Sequence, residues 1–557
     1  MSQKPWLNNY LAGIPAEITI IEDTLIDMFL KAATDYPDNK AVTCMGKTLT
    51  FTELKNKAEA VAQSLLIMGV KKGDRVAIIL PNSIQYPVII LATLYLGAVI
   101  VNINPLYTPS EIEFVVNDST PSVVFCLDIL ADKLADIEIK SVRNVITTNI
   151  ADPLSGFKRS AIKFVQKYVQ KKLKPLNYQS TDFRELYFSQ FQISAPIKIN
   201  ADDLAIIQYT GATTGRPKGA MLSHKNIGSN IRQVWAFIDP QMQDLDKDIV
   251  MCVLPLYHIF SLNANLLSFL FRGAENVMIP NPKDIKSLVK TMNQTPFTIF
   301  NSLDTLYNKL LQTPEFTEAN HPSYKHGICG GMTTRHSVAA KWEQITGITP
   351  ANCYGLSESS PCVTMSYFKD SYTGSAGVPV PSTEIEIRHQ VNLYEELPIG
   401  ENGVIFIRGP QVMQGYWNNP EQTAKVLDAD GWLNTGDIGY IDERGYLFIT
   451  NRMTEMILVS GFNVYPAEIE RVISELLDVN EVSVLGHKDK NSSSEKIHAF
   501  VVPHANSHIT TKLIKDYCQK HLTRYKIPNF IHIINSMPKT EVGKTDKKAL
   551  VKSLSET

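Results

Sequence analysis

The stretch YTGATTGRPKG, residues 209–219, gathers Thr210, Gly211, Thr213, Thr214, Gly215 and Lys218 into a few turns of chain. Glycines let backbone N–H groups approach an anion, threonine hydroxyls add donors, and lysine supplies a compact positive charge. A polyphosphate suits such a loop; a plain surface turn, which also favours Gly and Thr, is the competing reading. Spacing narrows the chemistry. The glycines do not lead into the Gly-Lys-Ser/Thr run of a Walker A loop, and no GxGxxG marks a dinucleotide site.

Other chemistry-bearing residues are scattered: His258 in PLYHIF, Glu358 in YGLSE, Asp437 in GWLNTGDIG, Arg452 after FITN, and Lys544 in PKTEVGK. Taken singly, each has a bland alternative. An Asp after Gly is usually a turn former, and a histidine among apolar residues is as readily a satisfied core residue as a ligand contact.

Elements must bring these residues together. Ala205 to Thr210 reads as a strand, so the polar loop leaves a carboxyl end, where open α/β sheets place ligands. RVAIIL, AVIVNI, SVVFCL, NVITT, DIVMCVL, NVMIP and FTIFN alternate with helix-length segments, which predicts βαβ units and largely parallel sheets. From about residue 371 to 451, IEIR, GVIFIRG, GYID and GYLFIT between Gly and Asp turns predict a β-rich subdomain. Beyond, AEIERVISEL, VNEVSVLGH, KIHAFVVP and LIKDYCQKHL predict a small α+β unit over 452–557. The expected fold is therefore α/β. A large N-terminal domain (1–451) of two βα-layered, parallel-rich sheets plus the β-subdomain precedes a small C-terminal domain.

Composition limits the function. A chain of 557 residues spans more than one ordinary domain. Its 54 Lys and Arg against 56 Asp and Glu give no basic footprint for nucleic acid. Seven cysteines, odd in number and without a CxxC pair, fit reduced thiols, and no secretory signal opens the chain, so a cytoplasmic location is expected. Two uncharged stretches, 86–103 and 251–271, carry prolines and asparagines that suit buried helices running into strands better than membrane spans.

The loop YTGATTGRPKGAMLSH closely resembles the phosphate-binding signature of the adenylate-forming superfamily of acyl-CoA synthetases, luciferases and peptide-synthetase adenylation domains. PLYHIF, GGM (330–332), YGLSE, GYW (415–417), GWLNTGDIG, NRMTEMILVSGFNVYPAEIE and PKTEVGK follow in the family's order. Together with NPLYTPSEIEF, GPQVMQGYW and ILVSGFNVYP they look most like bacterial long-chain fatty-acid–CoA ligases. The resemblance implies ATP-dependent activation of a medium- or long-chain fatty acid as acyl-adenylate, then transfer to coenzyme A. The alternatives are an acyl-AMP ligase delivering to a carrier-protein thiol, a luciferase-like oxidase, or a non-catalytic lipid binder.

It further implies that Thr210 to Lys218 cradle the ATP phosphates and that Glu358 and Thr210 hold Mg²⁺. Tyr354 would stack on adenine beside Gly330 and Gly331, with Gly355 and Ser357 in the same segment. Asp437 would take the ribose hydroxyls, with Arg452 near ribose or phosphate. His258 would lie near the acyl carboxylate, Lys544 would serve adenylation, and Gly461 would serve thioester formation after rotation of the C-terminal domain. Several positions depart from the family pattern: Ala212 for a glycine, Ser357 for a threonine, Thr454 at the hinge position, and GKTDKKAL for the usual basic tail.

One segment stands apart. FKRSAIKFVQKYVQKKLKPL, 157–176, has seven basic residues, no acidic one, and apolar residues at helical spacing. A solvated helix or peripheral contact with an anionic membrane surface would each account for it.

Overall fold

The computed structural model describes residues 4–555 except 136, 138–139, 155, 167–178, 194, 211–216, 243–244, 333, 369, 454–456, 460–461, 465, 488–494, 506, 523 and 541–543. Two large sheets organise the N-terminal domain. The first runs Thr181–Asp182, Asn144–Thr148, Val123–Leu127, Arg75–Ile79, Val99–Asn102, Leu204–Thr210, Lys218–Ser223. Every neighbouring pair is parallel except the last, a hairpin whose strands flank the polar loop.

The second sheet is assembled from two four-stranded pieces. One orders Ile249–Cys252, Glu275–Met278, Lys40–Cys44 and Lys47–Thr50; the other orders Ile328–Gly330, Ala351–Gly355, Cys362–Met365 and Val378–Pro379. FTIFN, expected as a full strand, makes only single bridges, Val250 to Ile299, Ile299 to His326 and Ser302 to Cys329. Those bridges join the pieces edge to edge. Asn301 explains part of the irregularity, because its side chain satisfies Ile328 N and the carbonyl of Ala264.

Between the sheets lie helices Leu25–Asp35, Phe51–Ile67, Gln85–Tyr95 and His224–Ile238, and one core cluster draws on both sheets and all four helices. Three of these helices begin with a side-chain cap that satisfies backbone donors: Thr24 with Asp27, Thr50 with Glu53, and Ser223 with Asn226. Gln85–Tyr95 needs no amphipathic pattern, since every residue in it is buried. Separate clusters cover the outer faces, one with helix Pro109–Ser119 and one with Ile285–Gln294, Asp304–Leu311 and His336–Thr346.

The stretch 86–103 is the buried helix and strand expected of it. Residues 251–271 reverse that order: strand Ile249–Cys252 leads through Pro255 into Ile259–Ser261, a π-helical turn Leu262–Leu267, and Ser268–Leu270. Asn263 and Asn265 sit in that turn fully buried and hydrogen-bonded, which is why a run so apolar carries them. No helix among the described residues is long and apolar enough to cross a membrane.

Glu384–Arg388, Gly403–Arg408, Leu433–Ile441 and Leu447–Arg452 form an antiparallel meander, the β-subdomain. Arg452 is its last paired residue, opposite Asp437. Downstream, Val479–His487, Lys496–Pro503 and Phe530–Ile533 form a three-stranded sheet with helices Pro466–Ser474 and Thr511–His521 and a core of their own.

Candidate active site

The hairpin Leu204–Thr210 and Lys218–Ser223 pairs Thr210 with Lys218 at its base, so both ends of the polar loop are fixed to the sheet. Gly211, Thr213, Thr214 and Gly215 themselves lie outside the described residues. Thr210 Oγ1 donates to the Lys218 carbonyl at 3.4 Å. The Lys218 ammonium donates to Gln422 Oε1 at 3.0 Å and stands 5.0 Å from the centroid of the Tyr416 ring.

Tyr416 gives GYW a physical task that the sequence left unassigned. Residues 414–417 run antiparallel to the outer hairpin strand, with Met221 N donating to Gly415 O, Gln414 N to Met221 O and Trp417 N to Gly219 O. So held, the Tyr416 hydroxyl donates to Glu358 Oε1 at 2.7 Å. Burial and the adjacent carboxylate push the phenol well above its ordinary range, so it stays a donor.

Glu358 sits in the short turn Ser357–Ser359 after strand Ala351–Gly355. The chain folds back tightly there: a Cβ at Gly355 would lie 1.6 Å from the Pro361 carbonyl oxygen, so only glycine fits. Oε2 of Glu358 takes no hydrogen bond among the described residues. One carboxylate with an uncommitted oxygen fits Mg²⁺ held jointly by protein and substrate phosphates. Among the described residues no cluster of three His, Cys, Asp or Glu forms an all-protein metal cage, which Mg²⁺ bound to phosphates does not need.

Tyr354, on the same strand, donates its hydroxyl to Asp437 Oδ2 at 2.8 Å, while Arg452 Nε stands 3.0 Å from Asp437 Oδ1. The expected adenine-stacking and ribose-binding residues are thus already in contact, and the carboxylate is buried between a phenol and a guanidinium. Gly330 ends strand Ile328–Gly330, where a Cβ would approach Phe260 Cζ to 2.9 Å and Cys353 O to 3.0 Å; Gly331 follows at once.

His258 precedes Ile259–Ser261 with its ring packed on Tyr257 and Nε2 buried without a hydrogen-bond partner. Burial first, and the positive charge of Lys544 second, lower it to about 4. The imidazole is therefore neutral at pH 7. Lys544, in the C-terminal unit, thus lies near enough to act electrostatically on His258 of the N-terminal domain. Gly461 and Thr454 lie outside the described residues.

Next to Phe260, two residues beyond His258, a narrow apolar cavity opens between helix His224–Ile238 and the second sheet. Val234, Ile238, Met242, Phe269, Ile328 and Met365 supply much of its wall. Nothing in the sequence marked it, because its lining comes from segments more than a hundred residues apart.

Residues of this chemistry, on two stitched α/β sheets followed by a small α+β domain, define an adenylate-forming enzyme. The family model for AMP-binding enzymes matches residues 29–417 and that for the AMP-binding enzyme C-terminal domain matches 468–544, and the chain belongs to this family. It is 41% identical over 556 residues to a long-chain-fatty-acid–CoA ligase of Yersinia pestis, covering 98% of each chain. The enzyme of that name from Bacillus subtilis is 33% identical over 563 residues, covering 100% of this chain and 99% of the other. ATP-bound MatB from Rhodopseudomonas palustris superposes with a TM-score of 0.82 at 28% identity, over 95% of this chain and 98% of that one.

Proposed function

We infer that this chain is an AMP-forming long-chain fatty-acid–CoA ligase. It activates a fatty acid with ATP to an acyl-adenylate, releasing pyrophosphate, and passes the acyl group to the thiol of coenzyme A, releasing AMP. The observation that carries the acyl half is the apolar cavity lined by Phe260, two residues beyond His258. A carboxylate headgroup there meets a cation and a neutral imidazole, while its hydrocarbon tail leaves water.

A carboxylate is a poor electrophile, and joining it to the α-phosphate brings two anions together. In this reading Lys544 offsets that repulsion, and His258 offers Nε2 to the carboxylate without adding a buried charge of its own. Lys218 and the donors of 210–218 hold the β- and γ-phosphates. Tyr416 keeps Glu358 oriented, and Glu358 with Thr210 would hold Mg²⁺, which supplies charge neutralisation on the phosphate oxygens when bound. Asp437 would take the ribose hydroxyls. The thiol must later reach the carbon that Lys544 faces, so the C-terminal domain withdraws between the two steps and presents the Gly461 region instead.

Pyrophosphate release with saturated acids from C2 to C18, with and without coenzyme A, tests the assignment. Each buried methylene adds about 0.8 kcal/mol, so kcat/KM should climb with length until the cavity is full, and thioester should form only with coenzyme A. Highest efficiency with acetate or an aromatic acid would refute it; adenylate formation with no thioester would favour the carrier-protein alternative.

Peripheral contact with an anionic membrane is the finer proposal for 157–176. In its support, helix Gly156–Phe164 leaves Phe157 88% and Phe164 59% exposed. Its basic residues are not all available, however. Lys163 Nζ stands 2.9 Å and Arg159 Nε 3.6 Å from the buried Asp152 carboxylate. Residues 167–178 lie outside those described, so the test uses Lys167, Lys171 and Lys172 and spares Lys163. Their joint replacement by Gln should weaken binding to anionic vesicles by about tenfold or more at low salt, at roughly 1 kcal/mol per charge. Unchanged binding would return the segment to a solvated helix.

A further inference from the structure

Away from the reacting groups, the N- and C-terminal domains meet at a second point. Asn480 stands at the start of strand Val479–His487 in the C-terminal unit, and three donors of the N-terminal domain converge on it. Asn308 Nδ2 donates to Asn480 Oδ1 at 3.2 Å, Gln312 Nε2 donates to the same oxygen at 3.3 Å, and Arg335 Nη1 donates to the Asn480 carbonyl. The arginine is fixed beforehand. Its backbone N–H and Nε donate to opposite oxygens of Asp304 at 2.9 and 2.7 Å, and the Asp304 side chain is 2% exposed. Asn308 and Asp304 share helix Asp304–Leu311, so one rigid helix and the segment before helix His336–Thr346 form the receiving face.

We propose that Asn480 is a positioning residue: caught by Asn308, Gln312 and Arg335, it latches the C-terminal domain in the orientation that brings Lys544 to His258. The inference rests on the two-step reading above and adds to it a named device that sets the balance between steps. A docked domain serves adenylation, because Lys544 is then at the carboxylate. An undocked one serves thioester formation. Adenylation rate scales with the docked fraction and thioesterification with the undocked fraction, so their ratio follows the docking equilibrium whichever state prevails. The latch is weak enough to open every turnover: amide hydrogen bonds, each exchanging with water, shift such an equilibrium by small factors.

Asn480→Ala removes the shared acceptor, and Asn308→Ala with Gln312→Ala removes the donors. Single-turnover rates of adenylation, and of thioester formation from supplied acyl-adenylate and coenzyme A, are measured for each. The ratio of thioester to adenylate formation should rise roughly three- to thirtyfold in either variant. Combining all three substitutions should give no further rise, because both sides lose the same contacts. Asn480→Asp keeps the acceptor and should not raise the ratio above the wild-type value.

Spin labels at Leu513→Cys and Val391→Cys, both exposed, report the docked fraction without substrate. That fraction should fall in the same variants. An unmoved ratio with an unmoved docked fraction, equal loss of both half-reactions, or multiplicative effects across the interface would overturn the latch. A wild-type protein that releases no pyrophosphate with any acid, yet loses docking on Asn480→Ala, would fault the fatty-acid reading and leave the latch standing.

Discussion

At the scale of single residues, Asp437 shows how a site can be charged and still folded. Asp437 is 3% exposed, and its carboxylate lies between the Tyr354 hydroxyl and the Arg452 guanidinium. Asp437→Asn preserves an acceptor for Tyr354 and discards the pairing with Arg452 as well as the charge that a ribose hydroxyl would meet. Hydrogen bonds to charged groups are worth about 1.5–3 kcal/mol, so kcat/KM for ATP should fall roughly 10- to 100-fold, while KM for the fatty acid hardly moves. Steady-state kinetics with each substrate varied in turn check this. Asp437, Glu358 and Lys544 were singled out as candidates in the sequence because their motifs come in a fixed order. Tyr416, Gln422 and Asn480 were not, since each acts through a partner tens or hundreds of residues away and has no spacing to betray it.

Among the elements, helix His224–Ile238 carries most, walling the cavity on one side and meeting helix Leu25–Asp35 at its start. At that junction Leu25 N donates to His224 Nδ1 at 3.2 Å. Nδ1 must be unprotonated to accept it, and burial, offset in part by Asp203 and Asp27, lowers His224 to about 4. A folded pKa below the ordinary 6.5 means that the unfolded chain binds the proton first. Stability is therefore full above about pH 6.5 and is lost as pH falls towards 4, by up to ~3 kcal/mol. Urea unfolding at pH 7 and pH 4.5 should show this loss, and His224→Asn, which retains an acceptor without the titration, should shrink it. The buried helix running into a strand over 86–103 could be read from sequence. The strand-to-π-turn order of 251–271 could not, because an uninterrupted apolar run has no period to separate the two kinds of element.

For the whole molecule, the decisive relation is between Lys544 and a cleft built hundreds of residues earlier in the chain. Removing a preorganised donor costs about 10²- to 10³-fold in rate, so Lys544→Ala should cripple acyl-adenylate formation and spare conversion of supplied acyl-adenylate and coenzyme A to thioester. Gly461→Leu should do the reverse, by crowding the thiol route. Single-turnover assays of each half-reaction decide it, and equal loss of both steps in both variants would refute domain alternation. Two sheets were foreseeable from βαβ spacing. Their union through Ile299 and Ser302 was not, since a strand reduced to single bridges carries almost no sequence pattern.

The strip of chain 414–417 that orients Tyr416 has a consequence for solubility. Strand Lys218–Ser223 is the last of the seven-stranded sheet, and an unpaired flank there would template pairing with strands of other molecules. Gly415, Gln414 and Trp417 occupy that flank through backbone bonds. At the far side the sheet stops at Thr181–Asp182, two residues, too short to recruit a neighbour. The contact that aims Glu358 is thus also a seal against aggregation, and a change that loosens it would threaten a concentrated solution of the protein as well as its chemistry.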